Sequence, residues 1–342
     1  MVSEAPPFWW KKADLRAWLL YPFSAAYAAV ARRKLLTAPR EEVDLPVLCV
    51  GNLTVGGSGK TPVAIALARQ ATAMGLRPGI LSRGHGGAVT KPHLVDPHHD
   101  VARHVGDEPL LLARAAPVAV TPDRAAGARL LAAEGCDFLI MDDGFQSARV
   151  RIDYALIVVD AHRGVGNGHV IPGGPLRARI VDQMRYADAV LKLGEGEGAD
   201  RALRQAARAG RAFFEARVRP QRCEAIEGRK CLAFAGIGDP AKFFDTVAAL
   251  GGVVAVEKSF GDHRFYGDFD AQDLMSTADT HGLELVTTAK DAVRLDHGGG
   301  ALDELRRRTH VVEIEVEFDV PNAPRAIIEQ AIDAWRRRRL QA

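Results

Sequence analysis

Residues 47–62 read VLCVGNLTVGGSGKTP: a short apolar strand, a glycine-rich turn, then Lys-Thr opening a helix. This passage constrains the fold more than any other, because a turn of this kind joins the end of a parallel strand to the start of a helix. Gly56, Gly57 and Gly59 carry no Cβ, so backbone N–H groups can turn inward around phosphate oxygens. Thr54, Val55 and Ser58 complete the cradle. Lys60 can reach the β/γ-phosphates of a nucleotide, and the Thr61 hydroxyl can ligate Mg²⁺. The helix entered at Pro62 points its positive end at the same anion. One position departs from the usual pattern: Thr54 stands where a glycine is expected six residues before the lysine. The loop alone leaves open a glycine-rich turn with a coincidental Lys-Thr, so a metal-binding partner is required elsewhere in the chain.

With 342 residues the chain has room for two domains of ordinary size. A net charge of +2 and no stripe mixing aromatic and basic residues exclude a dedicated nucleic-acid binder. Cys49, Cys136, Cys223 and Cys231 are scattered without a CxxC pair, which suits free thiols in a reducing compartment. The N-terminus is unusual. Residues 8–34 (FWWKKADLRAWLLYPFSAAYAAVARRK) hold three of the four tryptophans, and basic clusters bracket an uncharged run, 17–31, of 15 residues. That run is too short to span a bilayer and has no cleavage site close behind it. Aromatic rings beside lysine and arginine suit an anionic membrane surface, and equally a helix packed on the protein's own core.

Strands alternate with helices along the rest of the chain, which predicts a mostly parallel sheet with binding loops at the strand ends. The stretches RPGILSRG, VAVTP, CDFLIMDD and YALIVVD read as strands, and GDEPLLLARA as a turn followed by a helix beginning at Pro109. The charged, Gly/Ala/Arg-rich stretch around 195–229 reads as a linker. A second α/β series follows, with strands CLAFAG, VVAVEKSF, LELVTTAKD and HVVEIEVEF and a terminal helix APRAIIEQAIDAWRRRRL. The predicted organisation is an N-terminal helical segment (1–40), a P-loop domain (41–215), a linker (216–229), a second α/β domain (230–320) and a C-terminal helix (321–342).

Asp142 follows the apolar run FLIM, the arrangement by which a neighbouring strand delivers a carboxylate to Mg²⁺ beside a phosphate loop. Asp143 adds a second carboxylate, Gly144 permits a sharp turn, and Gln146 offers an amide to phosphate, water or substrate. Arg83 in SRG and Arg124 in TPDR are loop arginines suited to bidentate anion contacts or to surface ion pairs. Asn167, between Gly166 and Gly168, either meets substrate or closes a tight turn. Lys290-Asp291 is open between a site role and an interdomain salt bridge.

Taken in order, GNLTVGGSGKTP, SRG, VGDEP, DDGFQ, GNG…PGGPLR, FGDHRFY and TTAKDAVRL resemble the tetraacyldisaccharide 4'-kinase family, the lipid A 4'-kinases of Gram-negative bacteria. The motifs run from Gly51 to Leu295, most of the chain, and Thr54 is part of the family's own pattern. The resemblance implies a P-loop-type, mostly parallel sheet flanked by helices, a second smaller α/β domain and an N-terminal amphipathic helical segment. It implies transfer of the γ-phosphoryl group of ATP, with Mg²⁺, to the 4'-hydroxyl of a tetraacylated disaccharide 1-phosphate. Carried over by motif, Lys60, Thr61 and Asp142 serve phosphate and metal. Asp107 of VGDEP activates the acceptor hydroxyl, His263 of FGDHRFY pairs with it, and Arg177 of GGPLR contacts phosphate. On residue chemistry alone Asp107 reads first as a cap for the Pro109 helix, and His263 as a solvated loop residue. Two positions differ from the family's habit: His85 where tyrosine is usual, and Ala178 where an acid is common.

An acceptor with four acyl chains stays in the bilayer. The resemblance therefore implies a peripheral enzyme on the cytoplasmic face of the inner membrane, with Trp9, Trp10, Trp18, Phe23 and Tyr27 at the lipid interface. No obligate protein partner is evident. The rival expectations are a P-loop kinase or ligase with a soluble acceptor, and a nucleotide switch or metallochaperone. The switch is disfavoured: a guanine-reading NKxD is lacking, its nearest counterpart being LKLGE at 191–195, and there is no Cys/His cluster of metal-site spacing.

Overall fold

The computed structural model describes residues 5–146, 149–262, 264–296 and 298–341. After a short 3₁₀ turn at Pro7–Trp10, helices α1 (Leu15–Leu19) and α2 (Tyr21–Thr37) precede the sheet. The chain then alternates β1 (Val47–Asn52), α3 (Lys60–Ala73), β2 (Pro78–Ser82), β3 (His93–Leu94), α4 (Ala102–Val105), α5 (Asp107–Leu112), β4 (Val118–Val120), α6 (Arg124–Ala133), β5 (Phe138–Asp142) and β6 (Tyr154–Asp160). Next come α7 (Ile180–Met184), β7 (Ala189–Leu193), α8 (Asp200–Arg208) and β8 (Ala212–Pro220). A second series follows: β9 (Lys230–Ala235), α9 (Pro240–Ala249), β10 (Val253–Ser259), α10 (Asp268–His281), β11 (Glu284–Thr288), α11 (Ala289–Leu295), α12 (Gly300–Arg308) and β12 (Thr309–Val312). Last come β13 (Ile314–Phe318) and α13 (Ala323–Gln341).

The strands form a nine-stranded sheet in the order β13-β8-β7-β6-β1-β5-β2-β4-β3 and a four-stranded sheet, β10-β9-β11-β12. Every pairing from β8 through β4 is parallel, and only the edge strands β13 and β3 run antiparallel. The smaller sheet is wholly parallel. Strands covered on both faces should be apolar throughout. All six residues of β1 and all five of β2 and of β5 are buried. Leu48 and Val50 face a layer built from α3, α5 and α13, while Val47 and Cys49 face α6, α7, α8 and Ala28 of α2.

The chain leaves β1 toward β5, β2 and β4 on one side, and later fills β6, β7 and β8 on the other. Strand order therefore reverses at β1, and the crevice beyond its C-terminal end is where such sheets bind ligands.

Three sequence readings need correction. Residues 216–229 are not wholly a linker, because β8 continues to Pro220 and α8 precedes it. Only Ala202 and Ala206 of α8 are buried, and two alanines give little apolar signal. HVVEIEVEF is not one strand: β12 stays in the small sheet, while β13 pairs with β8 in the large one. LELVTTAKD ends as a strand at Thr288, whose hydroxyl accepts the Asp291 N–H at 3.0 Å and starts α11.

Candidate active site

The cradle sits between β1 and α3. Gly59, the N-cap of α3, has φ 77°, a left-handed conformation that costs glycine least. A Cβ there would overlap the Leu193 side chain, so a second constraint reinforces the first. Gly56 is also left-handed at φ 93°, and nothing lies within 4 Å of where a Cβ would sit at Gly56 or Gly57, both of which are exposed. Thr54 is buried and forms a bridge with Leu176, and the Val55 N–H donates to the Pro175 carbonyl at 2.9 Å. The residue replacing the expected glycine thus joins the loop to the segment that carries Arg177.

Register delivers the acids. Val50 of β1 lies beside Asp142 of β5, so the carboxylate reaches the mouth of the loop from the adjacent strand. Asp143 follows in a left-handed turn (φ 50°), a conformation aspartate tolerates better than most residues. Its carboxylate receives the Arg177 guanidinium in two bonds of 3.1 Å, and Lys60 Nζ lies 3.7 Å away. Arg177 Nε also donates to the Thr54 carbonyl at 2.9 Å. Burial would raise the Asp143 carboxyl, but Lys60 and Arg177 overcome that and hold it below its ordinary value.

Asp142 is the opposite case. Burial, with the Glu108 charge next, pushes it up to about 7 against the pull of Lys60. Its Oδ1 is buried and accepts no hydrogen bond from a described residue, and neither does the buried Ser58 hydroxyl. An orphaned carboxylate oxygen and a half-buried Thr61 at the helix start form the hard oxygen donor set that suits Mg²⁺.

Arg124 is not a loop arginine, as its place in TPDR suggested. It is the first residue of α6, 4% exposed, and donates to the backbone carbonyls of Asp142 (3.3 Å) and Asp143 (3.5 Å). It supports the acidic turn from below. Gln146 likewise braces the cradle, donating to the Asn52 carbonyl at 2.5 Å and to Gln183 at 2.8 Å. The Asn167 amide is taken up within its own loop, donating to the Gly173 carbonyl at 2.8 Å and accepting the His169 N–H at 3.0 Å. Arg83 is exposed just past β2. Ala178 is fully buried, where a carboxylate would be desolvated.

Asp107 is not the cap of a helix beginning at Pro109. It is itself the first residue of α5, with Gly106 as N-cap, and is only 5% exposed. Arg294 of α11 donates to its Oδ2 at 3.0 Å (Nε) and 2.5 Å (Nη2). Lys290 Nζ stands 3.8 Å from the same oxygen, 3.9 Å from Glu108 and 3.9 Å from Asp262. Burial works against the Arg294 charge, but Asp107 and Asp291 outweigh it and hold that guanidinium above its ordinary value. His263 lies outside the described residues. Of its neighbours, Asp262 has a carboxylate oxygen 3.9 Å from Lys290 Nζ, and Arg264 pairs with Asp270 at 2.8 Å.

Arg294 escaped the sequence reading, and only its place one turn beyond Lys290 in TTAKDAVRL could have flagged it. Asp291 proves to be a fully buried hub. It accepts the Tyr266 hydroxyl at 2.9 Å, Arg294 Nη1 at 2.8 Å, the Gly236 N–H at 3.0 Å and the Thr288 hydroxyl at 2.6 Å. The small sheet thereby presents Lys290 and Arg294 to the acidic start of α5 on the large one.

The tetraacyldisaccharide-1-P 4'-kinase family model matches residues 16–333. The chain belongs to that family. Proteins named tetraacyldisaccharide 4'-kinase from Mesorhizobium japonicum and Rhizobium rhizogenes are 61% and 55% identical to it. The alignments cover 100% of this chain in both cases, with 100% of the first relative and 96% of the second. Among solved structures, LpxK from Aquifex aeolicus, crystallised in complex with ATP, superposes with a TM-score of 0.72 at 25% identity, covering 93% of this chain and 99% of that one. As a member of the 4'-kinase family, the chain has the P-loop α/β fold that the motifs implied.

Proposed function

We propose that this chain transfers the γ-phosphoryl group of ATP to the 4'-hydroxyl of a tetraacylated glucosamine disaccharide 1-phosphate, a lipid A precursor. The observation that carries the reading is a P-loop between β1 and α3 with Asp142 delivered beside it by β5, and α5, which packs against α3, bearing Asp107 and Glu108 at its start. Lys60, Arg177 and the backbone of residues 54–61 would take the phosphates. Thr61 and Asp142 would hold Mg²⁺, which neutralises phosphate charge when bound. Lys60 and Arg177, now paired with Asp143, are the cations a triphosphate would draw away.

Asp107 is proposed to accept the acceptor's proton, since a sugar hydroxyl is a poor nucleophile unless a carboxylate lies within hydrogen-bond reach. Its pairing with Arg294 fixes its position, and release or sharing of that contact would free an oxygen lone pair for the hydroxyl. His263 is proposed to assist it, on the motif alone.

Membrane docking of the N-terminus is supported by its surface. Leu15, Trp18, Leu19, Phe23 and Val30 are 60–73% exposed, with Tyr27 at 44%, and Lys11, Lys12 and Arg33 are exposed beside them. Phe23, Tyr27 and Val30 fall on one helical face. Among the described residues no helix is long and apolar enough to cross a membrane. The proposed attachment is at the surface of the cytoplasmic leaflet, through this apolar and basic face. Trp9 does not share that role. Its indole is buried and donates to the Pro172 carbonyl at 3.0 Å, and Trp10 is half-buried under Arg163.

The test is transfer of label from γ-³²P-ATP, with Mg²⁺, to tetraacyldisaccharide 1-phosphate in detergent micelles. Asp107→Ala should lower kcat by roughly 10²–10⁴-fold with little change in the KM for ATP. Turnover near normal in that variant would reject the base assignment, and no labelled lipid with wild-type protein would reject the reaction.

A further inference from the structure

One side-chain cluster is not used by this chemistry. His93 lies on the edge strand β3, Asp100 in the turn before α4, and His104 within α4. His93 Nε2 is 2.6 Å from Asp100 Oδ2, and His104 Nδ1 is 3.2 Å from Asp100 Oδ1. The two rings stand 5.1 Å apart, inclined at 66°, and one ligand atom from each of the three residues falls within a 4.8 Å span. Asp100 is buried, and the Asp96 N–H holds its Oδ2 at 2.9 Å.

We propose that His93 Nε2, His104 Nδ1 and the Asp100 carboxylate bind one borderline divalent transition-metal ion, of which Zn²⁺ is the type, at a site separate from that of the nucleotide's Mg²⁺. Two imidazoles and a carboxylate match the donor preference of Zn²⁺ and its neighbours, whereas Mg²⁺ takes oxygen donors in octahedral array. Donors around a tetrahedral zinc stand roughly 3.3 Å apart, given bonds of about 2.0–2.1 Å. The His104–Asp100 spacing is already of that size, the His93–Asp100 spacing needs to open by less than about 1 Å, and the widest of the three, within 4.8 Å, needs to close by at most about 1.5 Å, a shift open to two partly exposed imidazoles. The Asp96 N–H supplies the outer hydrogen bond that steadies a ligating carboxylate. His93 and His104 side chains are 35% and 49% exposed, so an ion has a way in and a fourth position remains for water. The intervening His99 is engaged elsewhere, on Asp96 at 2.7 Å. Because α4 runs through Gly106 directly into Asp107, a bound ion would tie the sheet edge to the segment that carries the α5 acids.

The experiment uses untagged full-length protein, stripped with chelator and returned to millimolar Mg²⁺, titrated with Zn²⁺ and separately with Co²⁺ as a spectroscopic probe. One equivalent of Zn²⁺ should bind without displacement by Mg²⁺ and should raise the Tm. Co²⁺ should show the visible bands of a low-coordinate nitrogen/oxygen site. His104→Ala, at a half-exposed position, and His93→Gln should each lower Zn²⁺ affinity by at least about tenfold and remove the Tm increment. His98→Ala/His99→Ala should leave binding intact. Wild-type binding no tighter than that of His93→Gln/His104→Ala, displacement by Mg²⁺, or loss that follows His98 and His99 instead would each overturn the assignment. Melting curves of every variant identify misfolding, and His104→Ala alone decides if His93→Gln does not fold.

Discussion

Asp291 fills its acceptor sites with a tyrosine, a threonine, an arginine and a backbone amide inside the small sheet's core. Removing one partner of a buried ion pair leaves the other charge uncompensated, at a cost of about 3–5 kcal/mol. Asp291→Ala should therefore lower the Tm sharply and also free Arg294 from its fixed aim at Asp107, which separates it from a surface acid such as Asp303. At the loop, Gly59→Ala combines a left-handed backbone with overlap on Leu193, strain of order 1–3 kcal/mol. Fluorescent-nucleotide titration should show weakened ATP binding with the far-UV spectrum unchanged. Cys49 offers a pH test. Burial is the main cause that pushes its thiol up to about 12 from an ordinary 9.0. A raised folded-state value means this contribution to stability is complete below pH 9 and fades as pH climbs through about 12. Cys49→Ala should flatten the alkaline arm of the stability profile, and the native thiol should resist iodoacetamide at pH 8 until denaturant is added. The donor half of this site was legible because phosphate binding is done by backbone at contiguous residues. Arg294 was not, since its importance arises from meeting Asp107 across 187 positions of chain.

Among the elements, the 3₁₀ turn at Pro7–Trp10 and helix α1 separate two kinds of tryptophan that the sequence could not tell apart. Trp9 is held inward by Pro172, while Trp18 stands 60% exposed. Trp9→Ala should destabilise the fold by roughly 3–5 kcal/mol, as loss of a large core aromatic does. Trp18→Ala/Phe23→Ala should leave the Tm within experimental scatter. It should weaken sedimentation with anionic vesicles by about tenfold or more, on about 1.5–3 kcal/mol per apolar side chain withdrawn from water. Equal vesicle binding by the double variant would remove the docking reading. The parallel strands were readable because both their faces are covered and their runs are continuously apolar. Helix α8 was not, for its buried face is two alanines. Nor was the break at Glu313, where an alternation beginning at Val312 runs straight on through Phe318 although the two halves join different sheets. Alternation reports that a segment is a strand; it does not report which sheet receives it.

For the molecule as a whole, the return of β13 has the widest effect. Pro220, at the end of β8, lies beside Ile314 at the start of β13, and the Gln221 N–H donates to the Glu313 carbonyl at 2.9 Å. Everything from 221 to 313 leaves and re-enters the large sheet at one spot. Replacing that stretch by a short Asn-Gly turn should give a protein that still melts cooperatively and binds nucleotide. It should transfer no phosphoryl group, having lost Lys290, Arg294 and His263. The two strand ends act as paired pins on one side of a door, and the Arg294–Asp107 pair is a latch that joins the same two bodies a second time, through side chains alone.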